Sequence, residues 1–284
     1  MANIGIIVCG NSGIDYIQHA YDIEVMRSTL IFGQEEYTDY VDIKAEAFYA
    51  KLQADQKIIP STAQTATGVI LELYEKMRDK GYEEILVITI SSKLSGTYDG
   101  AQMAAKMVEG VKVTVFDSLS LAYAEAHMAI TAAEMAKKGA KMSDIVDTLT
   151  KIRDHQGLLI SVDTLLYLVK NGRLSGASGF VGGLLKIKPM LQLSREGKVE
   201  AVEKIRTRKK ALDRVVEKFI EEHSDDVEAF IIHAHAGAVV DDVRAALLDK
   251  KPDLGEIKDY PLTPVVGAHA GPGALAIGWI KKTI

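Results

Sequence analysis

The chain has little cysteine. Cys9 is the only one in 284 residues, which excludes an internal disulfide and suits a reducing compartment. Basic residues are outnumbered, 34 Lys and Arg against 39 Asp and Glu, giving a formal charge of −5. The basic face of a nucleic-acid binder is therefore not expected. No apolar run approaches the roughly 18 residues of a membrane span. The start, MANIGIIVCG, lacks the basic n-region and long apolar stretch of a signal peptide, so a cytoplasmic protein is expected. Neither G-x-x-x-x-G-K-[ST] nor a G-x-G-x-x-G turn between strand and helix occurs, so no nucleotide loop is predicted. GNSG at 10–13 and GASG at 176–179 lack the final glycine of G-x-S-x-G. His233 and His235 have no cysteine or carboxylate beside them at ligand spacing, so neither a metal nor a cofactor is expected.

What is present is a globular composition, 48% hydrophobic and 26% charged, in a chain long enough for two modest domains. NIGIIVCG at 3–10 is an apolar run ended by glycine, the pattern of a buried strand. After a less regular stretch, Ile43, Ala47, Phe48 and Leu52 stand at helical spacing, as do Ile70, Leu73, Tyr74 and Met77 before Gly81. Strands are predicted over 83–90 and 111–118, and helices over about 97–109, 119–138 and 143–154. This order predicts a mostly parallel sheet with helices on both faces.

Near residue 157 the order changes. LLISVDT is strand-like, TLLYLVKNG is a short helix stopped at Gly172, and 187–205 reads as a hairpin turning at Glu196-Gly197. A helix over about 208–223, a strand over 226–236 and a helix over 239–250 follow. EIKDYPLTPVVGAH reads as a last extended segment, and GPGALAIGWI as the opening of a final helix. The expectation is an α/β protein of two domains, 1–157 with a mostly parallel sheet and 158–284 with a mixed one.

Three segments place small or hydroxyl residues where a strand gives way to a helix: 58–68, 91–100 and 267–278. Helix starts offer unpaired N–H groups and partial positive charge, and so suit anions. Simple capping uses the same residues. Ser91, Ser92, Ser95, Thr97 and Tyr98 crowd the second segment with no histidine near in sequence. A triad of Ser95, His269 and an aspartate would need the fold to assemble it. His269 is flanked by small residues that leave its ring room to face a cavity, or to bond the backbone. KIRTRKK at 204–210 concentrates five positive charges in an acidic chain, as a solvated helix start or a docking patch.

At this point the motifs have a family look. EEYTDYVDI (35–43), SSKLSGTYDGA (91–101), VFDS (115–118), VDTLLYLVKNGRLSG (162–176), LLKIKPML (184–191), KIRTRKKAL (204–212) and GAHAGPGALAIG (267–278) occur in that order. Over nearly its whole length the chain resembles the DegV family of bacterial proteins. The resemblance implies two α/β domains with a long-chain fatty acid, such as palmitate, buried in a tunnel between them. It implies a carboxylate held by Thr62, Ser95 and His269, with Ser92 and Gly271 as secondary contacts. It further implies a non-catalytic subunit that presents the acid to an ATP-binding kinase partner, with Arg173 and Arg206 serving the docking. Two segments depart from the family pattern. Thr62-Ala63-Gln64-Thr65-Ala66 stands where the family has T-S-Q-P-S, and the first strand ends Cys9-Gly10-Asn11-Ser12 instead of in Asp-Ser.

A carboxylate needs donors, not a base, which accounts for hydroxyls clustered without a histidine; each charge-assisted bond contributes about 1.5–3 kcal/mol. Burying about sixteen carbons at ~0.8 kcal/mol per CH₂ contributes roughly 12 kcal/mol before association costs. Phe180, Val181, Leu184 and Leu185 are candidates for the tunnel wall. With no membrane span expected, contact with a bilayer would be transient. The competing reading is a serine-dependent lipid hydrolase or acyltransferase built on Ser95 and His269.

Overall fold

A computed structural model describes residues 3–55, 57–176 and 187–283. The chain opens with β1 (Ile4–Cys9), β2 (Ile23–Met26), the hairpin β3 (Thr29–Phe32) and β4 (Glu35–Thr38), α1 (Ala45–Ala54), β5 (Ser61–Ala63) and α2 (Thr67–Asp79). It continues with β6 (Glu84–Thr89), α3 (Thr97–Met107), β7 (Lys112–Asp117), α4 (Tyr123–Lys137) and α5 (Met142–Asp154). Strands β2-β1-β6-β7 form a four-stranded sheet, parallel throughout.

All six residues of β1 are buried, as a strand covered on both faces requires. Its side chains alternate between two helix layers. Ile6 and Val8 join the core that holds Ala126, Ala129 and Ala132 of α4, while Ile7 and Cys9 join Ile70 and Tyr74 of α2 and Ala101 of α3. The alanines let α4 lie close against β1.

The second series comprises β8 (Gln156–Ser161), α6 (Leu166–Lys170), β9 (Met190–Leu193), β10 (Val199–Glu203), α7 (Arg208–His223), β11 (Val227–His233), α8 (Gly237–Lys250), β12 (Lys258–Pro261), α9 (Pro264–Ala270) and β13 (Leu275–Lys281). Its sheet runs β10-β9-β8-β13-β11-β12 and is antiparallel except for β11 beside β12. One face, with Leu159, Ile231 and Ile277, packs on Val215 and Phe219 of α7 and Val240 and Val243 of α8. The other, with Leu158, Leu191, Ile232 and Ala276, joins the core of the first series. The expected α/β fold with a parallel and a mixed sheet is what the chain forms.

Three local expectations change. The irregular stretch before α1 contains β2, β3 and β4, strands of four residues each. β3 pairs with both β4 and β5 in a small antiparallel sheet. The segment read as extended ends instead in helix α9, opened by Pro264 at a position where a missing N–H costs nothing. GPGALAIGWI is not a helix but a turn followed by β13. Gly271 and Gly273 have φ of +78° and +74°, the left-handed region that glycine enters freely. Gly278 sits within that strand because the Phe230 ring occupies the space a Cβ would need.

Candidate functional site

A cavity of about 250 Å³ lies where the two series meet. The sheet of the second series supplies Leu158, Ile160, Leu191, Ile232 and Ala276; Asn11, Thr62, Ser95 and Leu121 come from the first. The lining is mainly apolar, with one polar cluster built by four segments distant in sequence.

Thr62 sits in β5, paired with Leu30 of β3. Its Oγ1 lies 2.8 Å from His269 Nε2, in the last turn of α9. His269 Nδ1 is buried, with no hydrogen-bond partner among the described residues. Burial, reinforced by the positive charge of Arg173, lowers the imidazole pKa to about 4, so the ring is neutral near pH 7. Arg173 donates from Nε to Leu94 O (3.1 Å) and from Nη1 to Asn171 O (2.5 Å), and lines the cavity. Leu94 precedes Ser95, whose Oγ lies 2.8 Å from Thr97 Oγ1 and accepts the Thr97 N–H at 3.3 Å. Thr62, Ser95, Arg173 and His269 thus share one wall.

One residue that the sequence analysis placed only at the end of a short helix holds this wall together. Asn171 Nδ2 faces the carbonyls of Pro60 (3.2 Å), Tyr167 (3.1 Å) and Ala268 (3.1 Å). It therefore ties the chain just before Thr62 to the residue just before His269. The sequence signal is a carboxamide beside a glycine, Asn171-Gly172, and in the structure Gly172 takes a φ of +70°.

The remaining candidates lie elsewhere. Ser92 does not line the cavity; its N–H donates to Asp117 Oδ1 at 3.1 Å. Gly271 is likewise outside the lining, and its missing Cβ makes room for the Tyr167 ring. Ser91, deeper in the same hydroxyl cluster, donates to Gly197 O at 2.7 Å and so holds the tip of the β9–β10 hairpin. Arg206 is exposed, whereas Arg208 in the same basic run pairs with Asp163 and donates to Gly273 O at 3.1 Å. Arg173, expected at a docking surface, is part of the cavity wall. Phe180, Val181, Leu184 and Leu185 fall outside the described residues.

The geometry does not assemble a serine nucleophile. Ser95 Oγ bonds Thr97, His269 bonds Thr62, and among the described residues no acidic group bonds His269 Nδ1. A relay from hydroxyl to imidazole to carboxylate needs both of those links. What the cluster offers is a cation and polarised hydroxyls, the donors that an anion requires.

A family model described as an uncharacterised protein of the DegV family matches residues 3–282. The chain belongs to the DegV family. It is 36% identical over 267 residues to a DegV domain-containing protein of Staphylococcus aureus, covering 93% of this chain and 92% of that one. Among solved DegV structures, one is the DegV fatty acid binding protein of Bacillus subtilis. It superposes with a TM-score of 0.87 at 31% identity, covering 99% of this chain and 100% of the other. A fatty acid binding DegV family protein of Streptococcus agalactiae superposes with a TM-score of 0.91 at 26% identity, over the whole of both chains. Among the described residues no helix is long and apolar enough to cross a membrane.

Proposed function

We propose that this DegV protein binds a long-chain fatty acid in the cavity between its two sheets and presents the carboxylate to an ATP-dependent kinase subunit. The observation that carries the reading is a polar cluster, Thr62, Ser95, Arg173 and His269, in the wall of a mainly apolar cavity. The fatty acid binding relatives of the same fold support it.

The hydrogen bonds suggest how the donors work. With a proton on Nε2, His269 donates to Thr62 Oγ1 and leaves the threonine O–H free for a ligand oxygen. Thr97 donating to Ser95 Oγ leaves the serine O–H free in the same way. Arg173 supplies the countercharge, and a neutral imidazole orients the Thr62 hydroxyl without a second cation to desolvate. The apolar sheet face takes the tail, whose burial supplies most of the affinity. No group of the chain needs to exchange a proton with the acid, so phosphorylation falls to the partner's ATP site. Arg206, exposed just before α7, is the residue proposed to meet that partner in the cytoplasm.

Denaturing solvent extraction after native mass spectrometry tests the binding step. One fatty acid per chain is expected, retained by wild type and lost or reduced in Thr62→Ala/Ser95→Ala. An empty protein that also refuses palmitate and oleate overturns the reading. Acyl-phosphate formed from the loaded protein with an ATP-binding partner tests presentation. Lipid bound but never phosphorylated would leave a ligand-gated interaction protein instead.

A further inference from the structure

Asn11 stands in a short 3₁₀ turn directly after β1, is 5% exposed, and lines the cavity. Its Nδ2 donates to Oε2 of Glu125 at 2.6 Å. Glu125 is fully buried in α4, among Ala124, Ala126 and Ala129, and its Oε1 has no hydrogen-bond partner among the described residues. Burial pushes its carboxyl well above the usual range, with Asn11 and Cys9 opposing the shift. Among the described residues, the carbonyl oxygen of Asn11 has no hydrogen-bond partner.

A hydrocarbon chain gains nothing from this pair. Methylene groups laid against an unpaired carboxamide oxygen strip its water and return no bond, and leucine at the same place would serve better. A ligand oxygen on the chain would satisfy the carboxamide and make it a selecting group, because a site built to bond a polar group discriminates against analogues that lack it. We infer that the Asn11–Glu125 pair selects fatty acids carrying a hydroxyl or oxo group along the acyl chain. This rests on the fatty-acid reading above and names its substrate class.

The experiment measures dissociation constants of wild-type protein, stripped of lipid, for stearate and for hydroxystearates with the hydroxyl moved along the chain. At one hydroxyl position, binding about tenfold tighter than that of stearate is expected, the value of one additional net hydrogen bond. The double variant Asn11→Leu/Glu125→Leu removes both polar partners together and should abolish this ratio. Asn11→Leu alone, where it folds, should do the same. Stearate bound as tightly as every hydroxystearate by wild type overturns the inference, and so does a ratio that survives in the double variant. If Asn11→Leu weakens stearate and hydroxystearate equally, Asn11 serves the carboxylate and the selection is refuted. Failure of wild type to bind any of these acids refutes the fatty-acid reading itself, a separate result.

Discussion

Thr62 and His269 stand 207 positions apart, yet Thr62 Oγ1 and His269 Nε2 are 2.8 Å from each other. The contact joins the small antiparallel sheet of the first series to helix α9 of the second, at the wall of the cavity. Whatever moves one half against the other moves the donors with it.

Removing a donor should weaken acid binding directly. Thr62→Ala and Ser95→Ala are each expected to cost about 1.5–3 kcal/mol, roughly ten- to a hundredfold in Kd. Thr62→Ser keeps the hydroxyl and should retain most of the affinity. Titration calorimetry with palmitate reads the difference, and unchanged affinity in both alanine variants removes these residues from the site.

Asn171 makes its contribution at one remove. Asn171→Ala frees the carbonyls of Pro60 and Ala268 and should loosen both Thr62 and His269. A stability loss of about 1–3 kcal/mol in urea is expected, together with a faster ligand off-rate. Thr62→Ala, by contrast, should change affinity with little change in the urea midpoint. Identical ligand off-rates in Asn171→Ala and wild type would show that the tie does not position the site.

His269 makes the ligand-free protein acid-sensitive. Its folded pKa, about 4, lies below the ordinary value of 6.5. The unfolded chain therefore binds the extra proton between those pH values, so stability is full above pH 6.5 and falls as pH drops towards 4. At most about 3 kcal/mol is lost this way. His269→Gln should flatten that part of the profile. Because the charge of Arg173 contributes to the depression, Arg173→Met should raise the His269 midpoint in an NMR titration; a lower midpoint contradicts the assignment.

Asp39 has the opposite sign. It is fully buried, and burial outweighs the nearby Arg27 and the backbone N–H groups of Val265 and Tyr40 to raise its pKa from 3.8 to about 7. Its folded pKa exceeds the unfolded one, so its contribution is full below pH 3.8 and is lost as pH rises through 7. The loss is at most about 4 kcal/mol. Asp39→Asn should remove this decline, giving a variant whose advantage over wild type grows from pH 5 to pH 8 in chemical denaturation. A parallel pair of curves would refute it.

Much of the fold follows from local pattern. The unbroken apolar run of β1 needs cover on two faces, and the 3.6-residue spacing of Ile70, Tyr74 and Met77 gives α2 one buried face. Glu196-Gly197 turns a hairpin because Gly197 adopts φ +79°. Where local pattern is weak, the sequence misleads. PVVGAHA contains β-branched residues and a glycine, poor helix formers, and becomes α9 because it packs on α1, α6, β3 and β5. Gly278 lies in a strand because Phe230 claims its side-chain space.

The site divides along the same line. The family resemblance implies Thr62, Ser95 and His269 as residues to gather, and the fold places all three in the lining of one cavity. That Arg173 lies on that wall, that Asn171 binds its edges, and that Asn11 leans on Glu125 are decided by tertiary structure. Each depends on contacts between segments 79 to 114 residues apart, and sequence spacing carries no information about which distant backbones a fold will place within hydrogen-bond reach.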